Sequence, residues 1–144
     1  MTSLNARESI DQLIDHFWQN GYMTLRRKFG TYLDEPSPIG KYDVDAVGRF
    51  KKKYALGIVI TEEELKDEKI VAKLEYLATR QTKYSNKNVV LFIGVFPENY
   101  SKVKSITESL STEAYKNIKI VVINPNHVIR EGATREEILS RRFS

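Results

Sequence analysis

The sequence predicts an α/β domain built on a mixed β-sheet with helices packed against it. Three strand-like runs follow one another directly between residues 22 and 61, and strand-like and helical segments alternate after that. Consecutive strands pair as an antiparallel meander, whereas alternating strands and helices give parallel strands joined by right-handed crossovers. The chain of 144 residues has the length of one domain, so we expect residues 1–144 to form a single domain.

The first half of the chain predicts one helix and three strands. Apolar residues recur at helical spacing from Ile10 to Trp18, and Asn20-Gly21 ends that pattern. Gly30–Gly40, with two prolines, is predicted to be a loop. Lys51-Lys52-Lys53 separates the second strand from the third, which is typical of a hairpin with a basic tip. The predicted strands are Tyr22–Phe29, Tyr42–Phe50 and Tyr54–Thr61.

The second half alternates helices and strands. Acidic residues open a helical pattern over 62–80, and Ile70, Val71, Leu74, Leu77 and Ala78 form its apolar stripe. Two continuous apolar runs are typical of strands that are buried on both faces. These strands are Asn88–Phe96 and Lys119–Ile123, with a helix Tyr100–Leu110 between them and a last short helix that begins near Thr134.

Composition excludes several classes of functional site. The chain has no cysteine and two histidines, which excludes disulfide scaffolds, iron–sulfur clusters, thiol nucleophiles and metal sites built from Cys and His. We therefore expect no cofactor, with Mg²⁺ needed only if the protein cleaves a phosphodiester. No apolar run approaches the ~20 residues of a membrane helix, so we expect a cytoplasmic protein with no membrane partner.

Two carboxylates stand out in the second predicted strand. Asp43 and Asp45 are two residues apart, and side chains at that spacing point to the same face of a strand about 7 Å apart. Carboxylates in a sheet need compensation. A metal ion, a Lys or Arg side chain, or bulk water at a strand end would each supply it.

The stretch around Asp45 resembles the PD-(D/E)XK nuclease superfamily, which includes restriction endonucleases and Holliday-junction resolvases. In that family an Asp on the second core strand binds metal, and the next strand carries Glu-x-Lys. Val44–Gly48 matches the family's apolar-Asp-apolar-apolar-Gly pattern, and the usual spacing from Asp45 places the Glu at position 58, directly after Gly57. Glu8, on the first helix, matches a helical Glu that many members add to the site. The resemblance covers roughly residues 5–123 and implies a restriction-endonuclease-like αβββαβ core, here extended by αβα.

This chain departs from the family at the catalytic motif. Position 58 is Ile, and position 60, where the family has Lys, is also Ile. In this family the carboxylates hold Mg²⁺ and the Lys positions water, and two isoleucines do neither. The resemblance therefore implies a nuclease-fold protein without the usual motif that binds nucleic acid and does not cleave it. Asp45, Asp43 and Glu8 are then remnants of the catalytic site.

Three alternatives remain open from the sequence. The protein is an active endonuclease if Asp43 and Asp45 bind Mg²⁺ and Lys28, Lys51–Lys53 or Glu62–Glu64 complete a relocated site. The resemblance is one of fold alone if the two Asp side chains pair with Arg26, Arg27 or Arg49. A protein-interaction subunit on the same fold is the third alternative.

The basic residues point to nucleic acid as the partner. Residues 21–60 contain eight basic and four acidic side chains, so this segment carries a net charge of +4, equal to that of the whole chain. Lys and Arg side chains that neutralise phosphates release counterions and need no contact with bases. We expect DNA in preference to RNA, and the resemblance also implies a homodimer. The predicted nucleic-acid-binding residues are Arg26, Lys28, Lys41, Arg49, Lys51, Lys52 and Lys53.

Overall fold

In a computed structural model of the chain, which describes residues 5–81 and 88–124, five strands form one mixed sheet with flanking helices. The α/β class predicted from the sequence is confirmed. The strands are β1 Met23–Arg27, β2 Ala46–Phe50, β3 Lys53–Val59, β4 Val90–Val95 and β5 Ile118–Val122. The helices are α1 Ala6–Gln19, α2 Glu62–Leu65, α3 Ile70–Ala78, α4 Tyr100–Glu108 and α5 Thr112–Lys116, with a 3₁₀ turn at Pro97–Asn99 before α4.

The strands lie in the sheet in the order of the sequence. β1, β2 and β3 form the expected antiparallel meander, and β4 and β5 continue it in parallel with β3. Phe50 pairs with Lys53, so the hairpin between β2 and β3 has Lys51 and Lys52 at its tip. Among the described residues, β1 and β5 are the two edge strands of the sheet.

Helix α1 covers one face of the sheet. Its apolar stripe, which includes Leu13 and Phe17, packs against Ala46, Ala55 and Phe92. A methyl group at Gly57 would lie 2.8 Å from Leu13 Cδ2 and 2.9 Å from Phe17 Cζ, which is closer than carbon atoms pack. Gly57 therefore allows α1 to lie directly on β3.

Helices α3, α4 and α5 cover the opposite face, which holds the larger core. Leu74 and Leu77 of α3 lie in one buried cluster with Leu91 and Ile93 of β4. Ile58 and Ile60, the residues at the positions of the family's catalytic motif, belong to the same cluster and are 2% and 0% exposed. Their side chains are part of the core and contact solvent hardly at all.

The prediction of one continuous helix over 62–80 is wrong. The chain forms α2, leaves the helical path at residues 66–69 and re-enters it as α3. Asp67 accounts for the break, because its carboxylate accepts the backbone N–H of Lys69 at 2.9 Å and its carbonyl accepts that of Ile70 at 3.1 Å. Asp side chains compete in this way with the helical pattern of backbone bonds.

The prediction of a strand over Tyr42–Phe50 is wrong at its beginning. β2 starts at Ala46, and Tyr42 instead forms a local bridge with Ile39. Asp43 and Asp45 thus precede the strand, so the period-2 argument that placed their side chains on one strand face does not apply. The ladder stops here because the Asp45 side chain, and not a backbone carbonyl, accepts the N–H of Val59.

Helix α5 was not predicted, although Ser111 caps it by accepting the backbone N–H of Ala114. The last predicted helix, near Thr134, lies outside the described residues. Within residues 5–81 and 88–124, none of the helices has the length and apolar character needed to cross a bilayer.

Candidate functional site

The candidate site lies where three strand ends meet. Lys28 directly follows β1, Asp45 directly precedes β2, and β3 ends at Val59. The antiparallel pairing brings these three points to one end of the sheet, which is also where the parallel strands β3, β4 and β5 end. In open α/β sheets, ligands bind at the carboxyl ends of the strands.

Asp45 is held by contacts with β1 and β3. Its carboxylate Oδ2 accepts the backbone N–H of Val59 at 2.7 Å, and Oδ1 lies 3.5 Å from Lys28 Nζ. The Asp45 backbone donates to Gly57 at 2.8 Å and accepts from Lys28 at 2.9 Å. With its side chain 19% exposed, the carboxylate is fixed in position and has little contact with solvent.

Burial raises the pKa of Asp45 above its ordinary value. The hydrogen bond from Val59 and the charges of Lys28 and Lys73 act in the opposite direction and only partly offset the loss of hydration. Keeping Asp45 ionised at this position therefore costs free energy, even with Lys28 and Lys73 nearby.

Two residues from the segment after β3, Glu64 and Lys73, form a second ion pair near Asp45. Lys73 of α3 lies close enough to Asp45 for its charge to act on that pKa, and its Nζ is 3.3 Å from Glu64 Oε2. Glu64 is held in turn by a capping box, in which Thr61 receives the N–H of Glu64 and the Glu64 carboxylate accepts from Thr61. Lys28, Asp45, Glu64 and Lys73 form what we call the Asp45 cluster.

The Asp45 cluster is electrically balanced, with two lysines and two carboxylates. The compensation that the sequence requires for a buried Asp is supplied here by lysine ammonium groups. Mg²⁺ would need free carboxylate oxygens, and it retains most of its own waters. Both oxygens of Asp45 are engaged with Val59 and Lys28, and Glu64 is engaged with Thr61 and Lys73. As arranged, this donor set does not fit a metal ion.

The other two predicted site carboxylates lie elsewhere. Asp43 is exposed in the segment before β2. Glu8 is exposed in the first turn of α1, where it bonds with the capping residue Asn5 through both its backbone and its side chain. Among residues 5–81 and 88–124, no group of three or more His, Cys, Asp or Glu side chains is arranged to hold a metal.

The predicted nucleic-acid-binding residues do not lie together. Lys28 lies beside Asp45, Lys41 lies 5.5 Å from the ring of Tyr42, and Arg49, Lys51, Lys52 and Lys53 lie at the hairpin tip. Six residues of extended chain separate Asp45 from Lys51, which corresponds to about 20 Å. Residues 21–60 therefore do not gather their positive charge around Asp45.

Two arginines of β1 have partners of their own. Arg26 lies between the two ends of the sheet, 3.7 Å from Asp34. Arg27, which the fold-only alternative offered as a partner for Asp45, donates to Asp11 of α1 at 2.6 Å and is 16% exposed. Arg27 thus anchors α1 to the edge strand.

No family model, curated protein or solved structure matches this chain.

The structure adds Glu64 and Lys73 to the site predicted from the sequence. Glu64 belongs to the acidic run that one alternative included, and the spacing of Thr61 and Glu64 is a capping-box signature visible in the sequence. Lys73 gives no such signal, because it is a single basic residue between two residues of an apolar stripe, Ile70 and Leu74.

Proposed function

We propose that this chain is a nucleic-acid-binding protein with a nuclease-like fold that does not cleave its ligand. The observation that carries the proposal is the concentration of exposed cations at the hairpin tip. Arg49, Lys51, Lys52 and Lys53 are exposed there, and Arg26 is exposed on the neighbouring strand β1.

Two cations of the hairpin tip, Arg49 and Lys51, lie beside aromatic rings. Arg49 donates to the carbonyl of Lys51 at 2.7 Å, and its guanidinium lies 5.6 Å from the ring of Tyr54. Lys51 Nζ lies 5.5 Å from the ring of Phe50. Aromatic rings therefore position these cations, while the side chains remain accessible to a phosphate.

The distance between Lys28, beside Asp45, and the cations of the hairpin tip suits a helical polyanion. Phosphates along one strand of duplex DNA repeat every ~3.4 Å, so the distance of about 20 Å from Asp45 to Lys51 corresponds to about six base pairs. A ligand of that length would engage both ends at once. A small anion would engage one end only.

The topology supports the nuclease-like part of the proposal. The order of the elements is helix, three-strand meander, helices, parallel strand, which is the order that the resemblance implies. Asp45 precedes Ala46, and Ala46 pairs with Gly57. Asp45 and position 58 thus lie next to paired residues of neighbouring strands, which supports the alignment with the family spacing.

The Asp45 cluster supports binding without cleavage. Ile58 and Ile60, which are both buried in the core, stand at the positions to which the resemblance assigns Glu and Lys. The carboxylates of Asp45 and Glu64 are each paired with a lysine. The side chains of the cluster are engaged with one another and with the backbone, which supports binding of phosphates without their hydrolysis.

Fluorescence polarisation with labelled duplex DNA at about 50 and 200 mM salt tests the proposal. We expect binding whose log affinity falls linearly with log salt, by about 0.9 per neutralised phosphate. Lys52→Gln should weaken binding and make this slope shallower by about one. Lys104→Gln is the matched control, because Lys104 is equally exposed but lies on α4, which packs beside the opposite edge strand β5.

Two results would overturn the proposal. The first is no binding at either ionic strength. The second is an equal loss of affinity in Lys52→Gln and Lys104→Gln, which would mean that only the overall charge attracts the ligand.

A further inference from the structure

We propose that a groove beside α3, formed by Lys41, Tyr42, Tyr76 and Arg80, binds an unpaired base of a nucleic-acid strand by stacking. The proposal rests on the proposed function, and it specifies the ligand as a strand with unpaired nucleotides. The groove has a volume of about 650 Å³, within the range of small-molecule sites.

Two aromatic rings form the walls of the groove. Tyr42 and Tyr76 have ring centroids 5.3 Å apart at an interplanar angle of 56°. The Arg80 guanidinium lies over the ring of Tyr76, with its carbon 3.7 Å from the ring centroid. The Arg80 Nε donates to the carbonyl of Tyr76 at 2.9 Å, which fixes the guanidinium in that position.

A tight turn brings Tyr42 to α3. Ile39 and Tyr42 exchange backbone hydrogen bonds of 2.9 and 3.1 Å around Gly40 and Lys41. Gly40 has a φ of +63°, which glycine adopts without strain, and a side chain there would collide with the Tyr76 hydroxyl. The backbone turn at Gly40 and Lys41, together with side-chain packing, therefore fixes the relative position of the Tyr42 and Tyr76 rings.

The chemistry of the groove fits a base that carries a phosphate. Unpaired bases stack on Tyr rings and on Arg guanidinium planes in a way that tolerates any sequence. Lys41, which is exposed and lies 5.5 Å from the Tyr42 ring, supplies the charge for the adjoining phosphate. The carboxylate in the lining, Glu75, is engaged by the N–H and the hydroxyl of Ser111 and does not compete for the cations.

The groove adjoins the Asp45 cluster. Tyr76 follows Lys73 by three residues on α3, so the two side chains are neighbours on that helix. Tyr42 precedes Asp45 by three residues in the segment that leads into β2. A strand that crosses the Asp45 end of the sheet would therefore reach the groove with its next nucleotide, provided that the nucleotide is not base-paired.

Binding of two labelled oligonucleotides tests this inference. The first is a single strand with a central 2-aminopurine, whose fluorescence falls when it stacks, and the second is the matching duplex. We expect the wild-type protein to prefer the single strand and to quench its 2-aminopurine. Tyr42→Leu should reduce single-strand affinity about ten-fold with little effect on the duplex, whereas Tyr42→Phe should behave as the wild type because the ring is kept. Arg80→Lys, which keeps the positive charge and loses the planar guanidinium group, should also reduce the quenching of 2-aminopurine fluorescence.

The outcomes separate the two proposals. Duplex binding with no preference for the single strand, and no effect of Tyr42→Leu, would overturn the stacking site and leave the proposed function intact. An equal loss of affinity for both ligands in Tyr42→Leu, or tight binding of a free mononucleotide, would also overturn it. No binding of either oligonucleotide would overturn both proposals.

Discussion

The carboxylate of Asp45 takes the place of a backbone carbonyl by accepting the N–H of Val59 at 2.7 Å. Asp45 therefore has a structural task that does not depend on catalysis, because it ends the ladder between β2 and β3. The same carboxylate holds Lys28 at the end of β1. An Asp at this position is therefore useful to the fold by itself.

Asp45→Ala, which removes the carboxylate, should destabilise the protein more than Asp45→Asn, which replaces the carboxylate with an uncharged amide. Asp45→Ala leaves the Val59 N–H without its acceptor, which costs about 1–3 kcal/mol in the free energy of unfolding. Asp45→Asn keeps an oxygen that can accept this bond, so its loss should be smaller. Urea denaturation at neutral pH measures both. Equal losses in the two variants would contradict the structural role of the acceptor.

The stability contributed by Asp45 should fall as the pH rises. Burial raises the pKa of Asp45 above its ordinary value of 3.8, so the folded protein holds this proton more tightly than the unfolded chain does. The contribution is fully present below pH 3.8 and is lost as the pH rises through the folded-state pKa. The free energy of unfolding of the wild type, relative to Asp45→Asn, should decrease over that interval.

Denaturation of both proteins at a series of pH values measures this difference, and carbon-detected NMR titration of the Asp45 carboxyl group gives its pKa directly. A difference that increases with pH would show that the charges of Lys28 and Lys73 outweigh the cost of burial.

Parts of this site could be predicted from the sequence because they are local. The meander and the hairpin that joins β2 to β3 follow from run lengths and spacing within a short stretch of the chain. The beginning of β2 could not be predicted, because the alternation of residues does not show that a side chain will replace a carbonyl in the ladder. Lys73 and Tyr76 could not be predicted either. They lie far along the chain from Asp45 and Tyr42, and only the path of the crossover brings α3 to them.

Substituting Gly57 should loosen the contact between α1 and the sheet. A methyl group in Gly57→Ala would lie 2.8 Å from Leu13 and 2.9 Å from Phe17, and overpacking of this kind costs about 1–3 kcal/mol. Gly94→Ala is the matched control, since its nearest neighbour is the end of the Ile123 side chain at 3.1 Å. Thermal denaturation compares the two. A larger loss in Gly94→Ala would contradict the close packing of α1 on β3.

Arg27 of the edge strand β1 should contribute to the free energy of unfolding and not to DNA binding. Arg27→Gln removes a 2.6 Å ion pair with Asp11, which is 40% exposed, so we expect a loss of about 1 kcal/mol after allowance for solvent screening. The salt dependence of DNA binding should not change, because Arg27 is already paired within the protein. Lys52→Gln should give the opposite result, with unchanged stability and a shallower slope. A slope changed by Arg27→Gln would show that Arg27 contacts phosphate.

Placing Glu at position 58 and Lys at position 60, the pattern of the nuclease superfamily, should destabilise the fold and should not create a metal site. Ile58 and Ile60 are 2% and 0% exposed in the core beneath α3, so Ile58→Glu with Ile60→Lys buries two polar groups without partners. We expect a loss of more than about 2 kcal/mol in stability and no Mg²⁺ binding by calorimetry. Ile58→Val with Ile60→Val is the matched control and should cost about 1 kcal/mol per site. A folded double variant that binds Mg²⁺ and cleaves plasmid DNA, with both properties lost on Asp45→Ala, would contradict this prediction. It would show that the Asp45 cluster can exchange its lysines for a metal ion.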